Sequence, residues 1–252
     1  MATMIDMDTP LNLAETGTRG RESNRRLFMQ FMAFGECADA SPIIEALEGA
    51  AFPAVVYADM HDPFGIGVLT MTEDPEYLTG PWREFLQNSP LAGLRFKPEY
   101  TMLGRTYTLG YEPDLDETLV HRPTRTALQP EWPWVVWYPL RRSGSFAQLP
   151  MDEQKQHLKE HGQIGFMYGR GDYAHDIRLA CHGLDTHDND FVVAVTGKEL
   201  APLSKLVEHM RHTQQTSLYL DRLGPFFVGR ALWKSPIPAP SNASAAVRSD
   251  RS

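Results

Sequence analysis

One histidine in the second half of the chain has the residue type and surroundings of a cofactor ligand. Leu158, His161, Gly165 and Tyr168 share one face at 3.6 residues per turn, which predicts a helix whose imidazole points inward. Gly162 and Gly165 each cost a helix about 1 kcal/mol relative to alanine, and they leave room for a broad, flat ligand. A neutral imidazole is a good iron ligand, so a haem fits this pattern. A buried, hydrogen-bonded core histidine is the alternative.

A tyrosine and two arginines in the same half could supply redox chemistry and bind anions. Tyr138 ends a predicted strand shortly before Arg142. Because tyrosine can release an electron and a proton together, Tyr138 is a candidate radical relay. From residue 174 onward the sequence alternates, which places Ala174, Asp176 and Arg178 on one face of a strand. Burying an unpaired charge is costly, so Arg178 needs an anionic partner.

The composition excludes several classes of function. The chain has 252 residues and a formal net charge of −8, which argues against a surface for nucleic acid or anionic membranes. Its two cysteines, Cys37 and Cys181, form no CxxC pair, so a disulfide framework or structural zinc site is not expected. No apolar run reaches the roughly 20 residues of a membrane span. Residues 1–25 lack the apolar core of a signal peptide. These features predict a cytoplasmic protein.

The order of predicted elements is the same in the two halves. The first unit, 26–111, has strands at 27–34, 54–57, 65–72 and 105–111, with helices that begin at Ser41 and Glu73. The second unit, 134–233, has strands at 134–140, 177–182, 191–196 and 225–232, with helices at 151–168 and around 203–210. This order predicts an α+β fold of tandem ferredoxin-like repeats, a dimeric α+β barrel within one subunit.

Three further segments complete the predicted organisation. Residues 112–133 contain four prolines and are predicted to be a long linker without regular structure. Residues 1–25 and the Pro/Ala/Ser/Arg-rich residues 234–252 are predicted to be disordered.

Between about residues 127 and 229 the sequence resembles the chlorite dismutase-like haem proteins. The order and spacing of several motifs carry the resemblance, whereas the first half shares only the order of strands and helices. The motifs are Pro130-Glu131-Trp132-Pro133 with Tyr138-Pro139, Glu160-His161-Gly162-Gln163-Ile164-Gly165, Gly183-Leu184-Asp185 before Asp190-Phe191-Val192-Val193, Met210-Arg211, and Gly224-Pro225-Phe226-Phe227-Val228-Gly229.

The resemblance implies a haem b or an iron coproporphyrin III in the second unit, and a homopentamer. It places His161 at the iron ligand and Tyr138 at the radical-forming tyrosine of coprohaem decarboxylases. It places Arg142, and the pair Arg211 and Thr216, near the porphyrin propionates. The implied reaction is the peroxide-dependent oxidative decarboxylation of two propionates, which turns coprohaem III into haem b. Arginines can hold such carboxylates through charge-assisted contacts.

The distal residue of the family stays open in this sequence. Counting from the flanking motifs puts that position at Ala174 or Asp176, whereas Arg178, His175 and His121 are further candidates. Chlorite decomposition gains from a distal cation, so without a secure arginine the motifs favour decarboxylation. A haem-binding peroxidase or sensor also stays open. His157 and His161, spaced i and i+4, could instead hold zinc, and a non-enzymatic barrel used only for assembly is a further alternative.

Overall fold

The computed structural model describes residues 10–238, and strands and helices follow the same order in each half. The first unit begins its first helix at Ser41-Pro42, as predicted, because proline suits the first helical turn. Its elements are β1 (Phe28–Gly35), α1 (Ser41–Ala50), β2 (Ala54–Asp59), β3 (Ile66–Thr72), α2 (Glu76–Thr79), α3 (Pro81–Asn88), a 3-10 turn (Pro90–Gly93) and β4 (Arg95–Arg105).

The second unit contains the long helix predicted from the histidine face. That helix has Asp152 and Glu153 in its first turn, where carboxylates complement the helix dipole. The elements are β5 (Trp134–Arg142), α5 (Gly144–Ala147), α6 (Met151–Arg170), β6 (His175–Ala180), β7 (Phe191–Gly197), α7 (Leu200–Arg211), α8 (Gln214–Tyr219), β8 (Leu220–Leu223) and β9 (Phe227–Lys234).

Each unit forms the antiparallel four-stranded sheet of a ferredoxin-like fold. The neighbours run β4-β1-β3-β2 in the first unit and β9-β5-β7-β6 in the second. β9 also pairs with β2 over several residues, and β4 meets β6 at Arg105 and Ala180, so the two sheets close into one eight-stranded barrel. The predicted α+β fold of tandem ferredoxin-like units is therefore confirmed.

The two units differ in how their helices cover the sheet. Inside the barrel, Phe31 stacks on Trp137 at 5.7 Å and contacts Phe227 at 4.7 Å between ring centroids. Outside the first sheet, aromatic rings such as Trp82 and Phe85, 5.4 Å apart, fill the space beneath the helices. By contrast, none of the 20 residues of α6 is fully buried. Among the described residues, the long helix of the second unit therefore packs less closely on its sheet than the helices of the first unit do.

The last strand of the first unit lies earlier in the chain than predicted. The sequence predicts a strand at 105–111, but β4 ends at Arg105. The backbone N–H groups of Leu109, Gly110 and Tyr111 donate to the carboxylate of Glu112 at 2.9–3.0 Å. Donors bound to a side chain cannot join a strand ladder, and this prediction was wrong.

The segment 112–133, here called the connector, was predicted to lack regular structure, and this prediction was wrong. It contains a π-helical turn, Glu117–His121, and the helix α4 (Arg122–Leu128). Pro123 stands in the first turn, where its missing N–H costs nothing. The Nζ atom of Lys234 donates to the carbonyls of Ala127, Gln129 and Trp132 at 2.7–3.0 Å, which secures the end of this connector.

The predicted disorder of the termini falls partly on residues 1–9 and 239–252, which lie outside the described residues. Within 10–25, Glu15–Thr16 pairs with Glu22–Ser23 in a short antiparallel ribbon, so that part of the prediction was wrong. Lys234 belongs to β9, and Ser235 donates its backbone N–H to Ala54. Among the described residues, no helix is long and apolar enough to cross a membrane.

Candidate functional site

A cavity of about 600 Å³ lies between the outer face of the second sheet and its helices. Its volume falls in the range of about 300–1,000 Å³ that is typical of ligand sites. The floor comes from β5, β6 and β7, one wall from α6 and α7, and a further wall from the connector. The lining residues include Arg122, Arg125, Gln129, Trp132, Tyr138, His161, Gly162, Gly165, Arg170, Ala174, His175, Asp176, Arg178, Met210, Arg211 and Thr216.

The helix α6 turns His161 and two glycines towards this cavity, as the sequence predicts. A Cβ atom added at Gly162 would meet nothing within 4 Å, and one added at Gly165 would lie 3.6 Å from Cε of Met210. The space over the glycines is therefore open rather than closed by neighbouring backbone. A flat group could lie there against the helix.

His161 is held as a neutral imidazole. Burial lowers its pKa to about 4, and the positive charges of Arg142 and Arg178 act in the same direction. Its Nδ1 atom lies 3.3 Å from Oγ1 of Thr213. A neutral ring with one nitrogen engaged can offer the other nitrogen to a metal ion.

Tyr138 lies on β5 and lines the same cavity with 8% of its surface exposed. Its ring stacks on Phe226 at 4.8 Å. Burial raises the pKa of the phenol, and the carboxylate of Asp176 raises it further, whereas Arg211 opposes this shift. The phenol is therefore protonated at neutral pH, so oxidation of Tyr138 would release a proton together with the electron.

Three candidates for the distal position line the cavity: Ala174, which directly precedes β6, and Asp176 and Arg178 on β6. Asp176 and Arg178 therefore share a face, as the alternation predicts, although His175 between Ala174 and Asp176 lines the cavity as well. Nε of Arg178 contacts Oδ2 of Asp176 at 2.8 Å, which supplies the anionic partner that the sequence requires. Burial alone would lower the pKa of Arg178, but Asp176 and the nearby Tyr107 raise it.

The two histidine candidates for the distal position differ in placement. His175 lines the cavity, stacks on Trp132 with ring centroids 3.6 Å apart, and bonds through Nε2 to Asp172 at 2.8 Å. His121 is not a lining residue, although it directly precedes Arg122, which is. It lies instead near Glu73, a carboxylate whose pKa is lowered chiefly by its hydrogen bond from Arg25.

The residues expected near the propionates divide into two groups. Arg211 and Thr216 line the cavity. Arg142 does not: its guanidinium lies between the rings of Phe146 and Phe191, 4.8 and 4.6 Å from their centroids. Burial lowers the pKa of Arg142. In this structure Arg142 therefore contributes long-range positive charge rather than a cavity wall.

Three lining arginines were missed by sequence reasoning: Arg122, Arg125 and Arg170. The first two belong to the connector, which was not predicted to be helical, and Arg170 ends α6. Arg125 is paired with Glu117 and Arg178 with Asp176, whereas Arg122, Arg170 and Arg211 form no salt bridge among the described residues. This excess of positive charge suits a ligand that carries several carboxylates.

The zinc alternative gains no support from the described residues. Between residues 10 and 238, no group of three or more His, Cys, Asp or Glu side chains could hold a metal ion. His157 instead packs against Tyr219, with 5.4 Å between ring centroids.

Comparison with known proteins places the chain in a family. The model of the family described as chlorite dismutase matches residues 46–232, more than two thirds of the chain. The chain belongs to the chlorite dismutase family. A protein of Haloarcula marismortui with a provisional heme-binding name is 26% identical over 147 residues, which cover 56% of this chain. The matched residues make up only 21% of the Haloarcula protein, so the present chain spans about a fifth of the length of that relative.

Solved structures of other members share the fold. A heme-binding protein from Thermus thermophilus aligns with a TM-score of 0.64 at 21% identity, covering 83% of this chain and 92% of that one. A chlorite dismutase from Candidatus Nitrospira defluvii in complex with imidazole aligns with a TM-score of 0.58 at 16% identity, covering 84% and 92%. At these identities the likeness shows the fold alone.

The residues present in the cavity fit an iron porphyrin. His161 offers a neutral nitrogen, and the open space over Gly162 and Gly165 forms a cradle that side chains would fill. The lining arginines can hold carboxylates at the edge of the macrocycle. Proteins ligate haem iron through a histidine in this way, with the pocket setting its reactivity.

Proposed function

We propose that this member of the chlorite dismutase family binds an iron porphyrin, haem b or iron coproporphyrin III, through His161. The observation that carries the proposal is a neutral histidine beside a glycine-lined, ligand-sized cavity. The experiment is a titration of the purified protein with haem b and with coprohaem. We expect a Soret band that His161→Ala abolishes and the control His157→Ala retains. The absence of a band in the wild-type protein would refute haem binding and favour a barrel used only for assembly.

We further propose that coprohaem III is the substrate and that it is converted to haem b with hydrogen peroxide. With peroxide, the bound iron porphyrin supplies an oxidant that can take one electron at a time. Tyr138 would give up an electron and its proton, and the resulting tyrosyl radical would abstract a hydrogen atom from a propionate. Loss of CO₂ and of one further electron then leaves a vinyl group.

The arginines that line the cavity, here called the positive rim, support coprohaem over haem b as the substrate. Coprohaem carries four carboxylates and haem b carries two, and three lining arginines, Arg122, Arg170 and Arg211, form no salt bridge among the described residues. Arg211 and Thr216 would orient a propionate, and Arg142 would add positive charge from its position between the rings of Phe146 and Phe191. Each two-point contact between an arginine and a carboxylate also fixes the orientation of the carboxylate, because the guanidinium group is planar.

Mass spectrometry of the porphyrin after peroxide addition tests the reaction. We expect the mass to fall in two steps as two propionates become vinyl groups. Tyr138→Phe should bind coprohaem normally and convert none of it. The matched control is Tyr168→Phe, since Tyr168 bonds to His209 at 2.9 Å and is not a lining residue. Unchanged turnover in Tyr138→Phe would reject the radical role.

Chlorite decomposition is the second candidate, and the position of Arg178 in the cavity favours it. A cation there could hold a departing hypochlorite. We expect any oxygen release from chlorite to fall sharply in Arg178→Ala, because the cation is lost. A protein that binds haem but acts on neither substrate would be a sensor of the same family.

We also propose that the protein is a cytoplasmic homopentamer. The family resemblance supports the pentamer, and the composition supports the compartment. Light scattering coupled to size-exclusion chromatography gives the mass of the assembly directly. A mass other than five times the chain mass would refute the pentamer.

A further inference from the structure

Thr213 contacts the histidine that we propose as the iron ligand. It lies between α7 and α8 with only 1% of its surface exposed. Its Oγ1 atom is 3.3 Å from Nδ1 of His161. Because the hydroxyl is buried this deeply, protein groups decide how its proton and lone pairs are used.

The partners of Thr213 determine which atom donates to which. Oγ1 lies 2.8 Å from the carbonyl oxygen of Met210, which can only accept a hydrogen bond. The single hydroxyl proton therefore points to Met210. Oγ1 of Thr216, at 3.2 Å, is a second and more distant acceptor for the same proton. Towards His161, Thr213 presents a lone pair, so Nδ1 has to carry the proton of their hydrogen bond.

A neutral imidazole has one N–H group. If that group is Nδ1–H, then Nε2 carries the free lone pair. We infer that Thr213 is a positioning residue that holds His161 in the Nδ1–H tautomer, leaving Nε2 available to bind iron. The part that concerns iron rests on the proposed haem function, whereas the tautomer is a property of the protein alone.

This arrangement differs from a carboxylate partner in one respect. A hydroxyl is neutral, so it orients the ring without adding a full negative charge to it. Among the charged groups that act on His161, Asp176 and Glu160 are opposed by Arg142 and Arg178. The tautomer is therefore set by the short-range contact with Thr213 rather than by an adjacent anion.

The test compares Thr213→Val, which removes the hydroxyl at similar size, with Thr213→Ser, which keeps it. In histidine-labelled protein without haem at pH 7, ¹⁵N chemical shifts report which ring nitrogen carries the proton. We expect Nδ1–H in the wild-type protein and in Thr213→Ser. In Thr213→Val we expect the ring to move towards Nε2–H, the form that free histidine favours.

A haem titration provides the second readout. Loss of a partner behind a metal-binding histidine typically costs about 10–100-fold in metal affinity. We therefore expect Thr213→Val to weaken haem binding by about 10–100-fold, and Thr213→Ser to restore it. Far-UV circular dichroism shows whether each variant is folded. If Thr213→Val does not fold, the tautomer in the wild-type protein and in Thr213→Ser still tests the proposal.

The outcomes separate the two proposals. An Nε2–H tautomer in the wild-type protein, or identical spectra for wild type and Thr213→Val, would overturn the role of Thr213. A fall in haem affinity without a change of tautomer would also overturn it, because lost packing would then be the cause. The expected tautomers in a protein that shows no Soret band would support the role of Thr213 and refute the haem proposal.

Discussion

The substitution Gly165→Leu should have opposite effects on the stability of the protein and on its affinity for a flat ligand. Gly165 stands inside a 20-residue helix, and the nearest atom to an added Cβ is Cε of Met210 at 3.6 Å. Glycine is about 1 kcal/mol less favourable than alanine in a helix interior, and leucine is nearly as favourable as alanine. The apo-protein should therefore gain up to about 1 kcal/mol, or about 2–4 °C in Tm.

The same side chain should hinder the ligand. It would extend into a cavity of about 600 Å³ from the wall that carries His161. Forcing extra methylene groups against a packed surface costs about 1–3 kcal/mol, which corresponds to a loss of porphyrin affinity of roughly fivefold to 150-fold. Thermal melts of the apo-protein and Soret titrations measure the two effects on the same samples.

Gln163→Leu is the matched control, because Gln163 is exposed on the same helix and does not line the cavity. It adds a leucine of equal size, and glutamine and leucine have similar helix propensities. We expect neither Tm nor porphyrin affinity to change. If Gly165→Leu bound the porphyrin as tightly as the wild-type protein, the ligand would not lie over this face of α6, and the reasoning from the glycines would fail.

Two further predictions concern the connector and the rim. Lys234→Met removes three hydrogen bonds from an ammonium group whose pKa burial lowers to about 8; we expect a loss of about 1–3 kcal/mol at pH 7. The pKa of Lys234 is about 8 in the folded protein and 10.5 in the unfolded chain, so the unfolded chain holds the proton more tightly. The free energy of unfolding of the wild-type protein should therefore rise, relative to that of Lys234→Met, between about pH 8 and 10.5. Urea unfolding at several pH values measures this difference. Arg122→Ala and Arg170→Ala should each weaken coprohaem binding about two- to fivefold, and haem b binding less, in Soret titrations.

Periodicity and turn chemistry were sufficient to predict most of the second unit. The spacing of His161 and Gly165 placed both on the cavity side of α6, and alternation placed Asp176 and Arg178 together on β6. These features follow from local geometry, because a helix or strand fixes which side chains share a face. The family resemblance added the role of each residue, which spacing alone could not supply.

The predictions that failed depend on contacts between residues distant in sequence. β4 was misplaced because one of its buried positions is Lys97, whose charge is satisfied by Asp59 at 3.0 Å and by Asp62 at 2.7 Å. A lysine at a buried position hides the apolar alternation of a strand. The connector helix was missed because its prolines suggested a loop, although Pro123 stands in the first turn, where proline is tolerated.

The position of β9 has a consequence for the biogenesis of the protein. This strand lies between β5 and β2, and its pairing with β2 is the longer of the two pairings that join the second sheet to the first. During translation, both neighbours leave the ribosome before residues 227–234 do, and their edges stay unpaired until that strand arrives. Exposed strand edges invite aggregation, so the nascent chain should depend most on chaperones during this interval, and cofactor loading should follow it.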